Sequence, residues 1–348
     1  MSATVRGLRA VGIDARGIAV YGHSPVRDDT GVTRLSDAES RRSPRWFRDV
    51  VPRLRELLAE IREADVLHWY MTPGLPGGLD LRYAAALGKP SLVEFAGGDI
   101  RNPKIESADN RYYAAARPQY EYRAWETEEN SARTQRIFAS AGCEAIVSCP
   151  SLLDYLEPGR FTHVHMVRQR VIVTDFEPRY PDPANTRPLV VHASTAPVAK
   201  GSAAVAEAAE RLRGRVDFEL VMLDRVPRED ALRTIARADV YLDQFVIGAH
   251  GSAAIEAMAL GKPVVGYIKP SVQARYPADI PLINASLEEL PHILESLLRD
   301  GARRHEIGRL GRAYAERTHD ATKLAGALRE VYTGAIRRKA GAAASASR

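Results

Sequence analysis

Cysteine is nearly absent from this chain of 348 residues, which carries only Cys143 and Cys149. Two thiols exclude a disulfide framework, and with no second cluster of soft ligands they read as buried thiols in a reducing cytoplasm. No apolar run approaches the roughly 20 residues that a bilayer span requires. The opening MSATVRGLRAVG carries no long apolar block of the kind that makes a secretory leader. Lysine is scarce as well: seven lysines stand against 42 arginines, and the net charge is +5. The arginines gather at 41–55 (RRSPRWFRDVVPRLR), and the chain closes on RRKAGAAASASR. The first block reads as a solvated helix face. Attraction of an anionic acceptor or peripheral contact with a membrane is the less favoured reading, and no nucleic acid is expected as a partner. The second, 338–348, reads as a disordered tail that can be trimmed without loss of function.

What remains is an ordinary globular composition, 45% hydrophobic and 27% charged, over a length that fits two domains. Helix and strand signals alternate through 1–175: helix 4–11, strand 16–21, amphipathic helix 44–63, strand 65–69, helix 79–87 and strand 90–95. After a polar segment come helix 121–141, strand 145–148, a short helix 152–156 and one or two strands in 164–173. Proline density then rises in FEPRYPDPANTRP, so 176–188 is a linker. Alternation resumes with strand 189–193, helix 202–212, strand 218–223 and helix 228–237. Residues 286–337 read as mostly helical, the last part (316–337) being a C-terminal helix. The fold class is therefore α/β, with two parallel sheets covered by helices. ALGKP ends a helix and feeds a strand twice, at 86–90 and 259–263, in keeping with two similarly built halves.

The chemistry concentrates in 238–269, ADVYLDQFVIGAHGSAAIEAMALGKPVVGYIK. A buried strand leads through Gly248 and Gly251 into a helix that opens at Ser252, and a second strand follows. Helix N-termini present unpartnered N–H groups, and glycines before them let a ligand approach the main chain, so this is an anion site suited to phosphate. Glu256, one turn into the helix, is placed to meet a ribose hydroxyl. Open parallel sheets bind ligands beyond the carboxyl ends of their strands, which puts the site in the cleft between the two domains.

EAMALGKPVV, preceded by G-x-x-G and ADVYL, resembles the signature of the family-4 retaining glycosyltransferases of GT-B fold. KGSAAVAEAAERL at 200–212 is similar to the first helix of that family's nucleotide-binding domain. The likeness runs from about residue 65 to 332 and is most specific at 248–265. It implies two Rossmann-like domains facing a cleft, an acceptor side at 1–175 and a nucleotide-sugar side at 189–315. It also implies transfer of a sugar from a nucleoside-diphosphate donor with retention, by front-face attack, with neither metal nor cofactor. In that chemistry a lysine and helix amides stabilise the leaving diphosphate. By the same resemblance Lys200, followed by Gly201, is the diphosphate lysine, Glu256 the ribose carboxylate, and Gly251 a glycine of the phosphate turn.

Four departures from the family accompany these matches. Gly248 stands where a carboxylate holds the donor sugar, Thr195 where an arginine precedes the lysine, and Ala96 where a histidine faces the sugar. Replacement cations are sought at Arg101, Arg168, Arg170 and Arg225. Finally, nothing before helix 4–11 supplies the family's central first strand, so an upstream start or a truncation is expected, with a gap in the first sheet.

Each candidate also has a plainer reading. Lys200 at a helix start opposes the helix dipole, which favours a ligand role over a solvated surface lysine. His250 and Ser252 in the turn are donor-binding candidates, though a simple turn residue serves equally well. Asp99 and Arg101 in AGGDIR are candidates for catalysis or for sugar contact, against a capping aspartate and an exposed arginine. His68 reads as a core histidine, and Glu126, Glu128 and Glu129 as a solvated acidic face. A silent nucleotide-sugar binder and a GT-B nucleotide-sugar epimerase remain the alternatives.

Overall fold

The computed structural model describes residues 1–22, 29–38, 40 and 42–346. Arg41 of the basic block and the last two residues of the tail lie outside that set. The strands are β1 (Gly17–Ala19), β2 (Val32–Arg34), β3 (Leu67–Tyr70), β4 (Ser91–Phe95), β5 (Glu144–Val147) and β6 (Val164–Met166), followed by β7 (Leu189–Ser194), β8 (Glu219–Asp224), β9 (Val240–Leu242), β10 (Val264–Gly266) and β11 (Ile283–Asn284). Every pairing among them is parallel. One sheet runs β3-β4-β5-β6, a second runs β11-β10-β9-β7-β8, and β1-β2 form a separate pair. Parallel strands must be covered on both faces, and β4, β5 and β9 are accordingly buried along their whole length.

No ladder joins β1 to β3 among the described residues. Side chains span that interval instead. Trp46 donates from Nε1 to the Val20 carbonyl at 3.0 Å, Tyr21 and Thr72 share a hydroxyl bond of 2.8 Å, and Tyr70 donates to Thr4 at 2.7 Å. Val20, Leu35, Trp46, Leu57 and Ile61 form a local core against Leu67 and Trp69. The carboxyl ends of β1 and β3 therefore lie side by side, facing the cleft.

Several elements differ from the sequence expectation, each for a local reason. The 44–63 helix is Pro44–Val50, one tight turn Val51–Arg53, then Leu54–Glu63; Pro52 has no N–H to carry a single α-helix through. Instead of 121–141, the next helix is Glu128–Ser140, because Thr127 caps it by accepting from the Asn130 N–H at 3.0 Å. Glu126 then precedes the cap and turns inward at 1% exposure, so it is not part of a solvated face. In 164–173 only β6 is a strand. The tail is not disordered through its described length: helix Ala321–Ala346 runs through it, and Arg338 grips Glu144 through two bonds of 2.7 and 2.6 Å. This helix crosses back to the first domain, where it packs with helix Ser2–Ala10 and shares a core with Leu8, Leu92, Ile146 and Val167. No described helix is long and apolar enough to cross a membrane.

Candidate functional site

In the second sheet the chain leaves β7, adds β8 on one side, then returns to place β9 on the other. The crevice at such a switch point, beyond the carboxyl ends of β7 and β9, is where open α/β sheets hold ligands. Lys200 follows β7 and Asp243 follows β9, and the two meet there, Nζ to Oδ1 at 3.4 Å. Asp243 is fully buried while the Lys200 side chain keeps 18% exposure, so the carboxylate anchors an ammonium that still reaches the cleft. The other Asp243 oxygen accepts from the Gly251 N–H at 2.7 Å. One buried acid thus ties the lysine to the start of helix Ser252–Ala259, whose first turn has no side-chain cap.

Gly251 packs closely against this pair: a Cβ there would lie 2.9 Å from Lys200 Nζ and 3.1 Å from Asp243 Oδ1, so a side chain at 251 would displace the lysine tip. Gly201, by contrast, sits at φ +79°, where the chain turns sharply from Lys200 into helix Ser202–Leu212. His192 on β7 supports this corner. One ring nitrogen lies 2.9 Å from the Leu242 carbonyl, and the other lies 2.8 Å from Ser202 Oγ. Burial lowers the His192 pKa to about 4, so the ring is neutral and serves as one donor and one acceptor.

Glu256 points out of the same helix and takes Arg228 at 2.6 and 3.1 Å, both nitrogens on one carboxylate oxygen. Arg228 begins helix Arg228–Ile235, so it presents Glu256 rather than leaving it loose on the surface. Arg225 lies exposed just beyond β8, its own N–H on the Ser194 carbonyl at 2.9 Å and its φ at +51°. His250 is 8% exposed and packs between Tyr276 and His319, with ring centroids 5.2 and 5.8 Å away. Burial lowers its pKa, so the ring is neutral.

The Gly248 end of the turn is built differently. Gly248 has φ +73°, and a Cβ there would meet Asn110 Nδ2 at 2.9 Å and the Lys269 stem at 3.2 Å. The space beside Gly248 is therefore filled by groups that come partly from the first domain. Lys269 is fully buried and pairs with Glu106 at 2.6 Å and Asp109 at 2.9 Å. Burial by itself would lower its pKa, but the two acids outweigh that and hold it raised. Asn110 donates to the Val246 carbonyl at 2.8 Å, and Glu121 accepts from the Val198 and Ala199 N–H groups at 2.7 and 3.0 Å. Residues 103–121 of the first domain thus reach across the cleft and hold the short helix Pro197–Lys200 that carries the lysine.

Asp99 and Arg101 are not free groups. Asp99, at 0% exposure, accepts from the Gly97 N–H at 2.7 Å and from Ala96, closing its own turn. Burial pushes its pKa up to about 6. Arg101 is buried against Glu126 at 2.6 Å, and Arg170 is buried against Glu94. Of the four candidate cations, Arg168 and Arg225 stay available. Arg168 is half-buried just past β6 and has no acidic partner among the described residues, and its charge helps disfavour protonation of His250. His68 is held inside the first domain, hydrogen-bonded to Tyr332 at 2.7 Å, with its other ring nitrogen 3.2 Å from Glu94. Both cysteines are free and buried. Asp243, His192, Asn110, Glu106 and Lys269 escaped sequence reasoning. Asp243 alone had a local signal, an acid directly after a wholly apolar strand.

No protein-family model matches the chain, and no curated protein sequence matches it. Solved structures do. The chain is similar to sucrose-phosphate synthase from Thermosynechococcus elongatus at 14% identity and TM-score 0.60, with 96% of this chain and 92% of that one covered. It is also similar to AviGT4, a glycosyltransferase of avilamycin A biosynthesis, at 15% identity and TM-score 0.53, covering 96% and 88%. Anabaena HepE in complex with UDP-glucose follows at 13% identity and TM-score 0.51, covering 81% and 82%. These similarities show the fold: two Rossmann-like domains in the GT-B arrangement.

Proposed function

We propose that the chain is a glycosyltransferase that moves a sugar from a nucleoside-diphosphate donor to an acceptor, with retention of configuration and without a metal. The observation that carries this reading is the Lys200–Asp243–Gly251 cluster at the switch point, beside an uncapped helix start. As the glycosidic bond breaks, negative charge develops on the leaving diphosphate. Lys200, the amides of 252–254 and an arginine (Arg168 or Arg225) supply the positive field it needs; Ser252 and neutral His250 add hydrogen bonds. Glu256, oriented by Arg228, binds the ribose. The acceptor enters from the first domain and attacks on the face the diphosphate leaves, so no enzymic nucleophile is required. Losing one preorganised donor of this kind costs about 10²–10³ in kcat.

HepE was solved with UDP-glucose, which makes UDP and its sugars the first ligands to try. Calorimetric titration of Lys200→Ala with a series of nucleoside diphosphates is expected to show at least a tenfold loss of affinity. Unchanged binding of every ligand would refute the phosphate assignment. The filled space at Gly248 supports a second reading, a nucleotide-sugar binder without turnover. Donor hydrolysis in the absence of acceptor, read by mass, separates the two.

A further inference from the structure

The basic stretch 41–55 takes no part in the nucleotide site, and its fold gives it two unlike faces. Trp46, Val50 and Leu57 turn inward and are buried to 3%, 1% and 7% exposure. Phe47 and Val51, four residues apart and so on one side of the helix, are 49% and 56% exposed. Pro44, Arg48, Pro52 and Arg55 continue that outer stripe and are exposed as well. Some of the positive charge is already spent within the protein: Arg45 reaches Asp37 at 3.4 Å, and Arg53 donates to the Arg34 carbonyl at 3.3 Å. The rest faces outward. The Arg48 side chain is 77% exposed with Asp49 at 3.5 Å, and Arg42 and Arg55 have no acidic partner among the described residues. The patch adjoins residues 34–37 at the carboxyl end of β2, where Ser36 donates to Asp49 at 2.8 Å. It therefore lies at the end of the first domain where strands open towards the cleft.

We infer that this stripe is a docking surface for an anionic lipid bilayer. A phenylalanine, a valine and two prolines set among outward arginines match the boundary between headgroups and acyl chains, where apolar groups sink and guanidinium groups lie over phosphates. Nucleic acid uses the same cations but leaves the apolar stripe without a role. Docking in this way presents the acceptor side of the cleft to the membrane surface. The inference is independent of the donor chemistry.

The test is co-sedimentation of the full chain with vesicles of mixed phosphatidylcholine and phosphatidylglycerol, beside vesicles of phosphatidylcholine alone. Binding is expected to the mixed vesicles only and to weaken as salt rises. Phe47→Ser with Val51→Ser is expected to reduce partitioning about tenfold or more. Arg48→Gln and Arg55→Gln are each expected to reduce it roughly fivefold. All four positions are exposed, so melting temperatures should stay unchanged and confirm intact protein. Absence of binding to the mixed vesicles overturns the inference, as does full binding by the Phe47/Val51 variant. Capture of duplex DNA that depends on Arg48 and Arg55 but not on Phe47 and Val51, without vesicle binding, overturns it in favour of nucleic acid.

Discussion

Gly251 and Gly248 are both glycines of one turn, yet they are held for different reasons and respond differently to substitution. At Gly251 the backbone is ordinary and the constraint is the Lys200 ammonium, 2.9 Å from where a methyl would sit. Gly251→Ala is expected to cost under about 1 kcal/mol of stability, since the flexible lysine tip can give way, and to weaken nucleoside-diphosphate binding by moving the lysine. Urea denaturation and calorimetry read the two effects separately. At Gly248 the backbone lies in the left-handed region and the neighbouring space belongs to Asn110 and Lys269. Gly248→Glu, which restores the family carboxylate, is therefore expected to destabilise by about 1–3 kcal/mol and to give no gain in donor binding. A tighter-binding, stable Gly248→Glu protein would overturn the packing account of this position.

Two buried charge systems bind elements together and set the response to acid. Glu94 on β4 sits between Arg170 and His68. Burial alone would raise its pKa, but the Arg170 guanidinium and the His68 contact bring it down to about 2. A depressed carboxylate contributes stability above its unfolded value near 4.3, and that contribution is lost as pH falls towards 2. Arg170→Met leaves Glu94 buried without its cation and is expected to cost about 3–5 kcal/mol by denaturant unfolding. The histidines act at milder acidity. Burial lowers His192 to about 4 and His319 to about 3, against roughly 6.5 when unfolded. Between these values the unfolded chain holds more protons, so stability falls as pH drops from 6.5 towards 4. Each histidine contributes about 1.4 kcal/mol per pH unit. Asp99, raised to about 6, opposes them over part of that window. Melting temperatures of His192→Gln across pH 4.5–7.5 should vary less steeply with pH than those of the unaltered protein.

For the whole molecule, the relation between domains rests on residues 103–121. Lys269 and Glu106 are both fully buried, and removal of either partner strands the other. Lys269→Met and Glu106→Gln are each expected to destabilise by about 3–5 kcal/mol, and the double variant by less than the sum. Small-angle scattering of the single variants should show a larger radius of gyration as the cleft opens. The C-terminal helix adds a second tie. Ending the chain at Arg337 removes the Arg338–Glu144 pair on β5, so truncation is expected to lower stability by about 1 kcal/mol. The reading of residues 338–348 as a dispensable tail predicts no change at all.

Much of this architecture is legible in local pattern. Strand 189–193 and helix 202–212 stand where alternation and apolar spacing put them. Short-range rules govern them: strand runs, glycine turns and helix periodicity act within a few residues and need no partner from elsewhere. The same is true of the turn at 248–251 and of Lys200 before Gly201. Helix ends were harder to read, because Pro52 and Thr127 decide them and a hydrophobic pattern runs through both without interruption. Charge partners were harder still. Nothing near Arg101 announces Glu126, and nothing near Gly248 announces Asn110 or Lys269. Such pairs join segments far apart in the chain, 163 positions for Glu106 and Lys269 and 194 for Glu144 and Arg338, and burial rather than local pattern chooses them. The glycine turn at 248–251 is thus written in neighbouring residues. Which carboxylates are free, which lysine is sealed and what fills the space beside Gly248 depend on how the two domains close on each other, since a charge's partner is set by proximity in space.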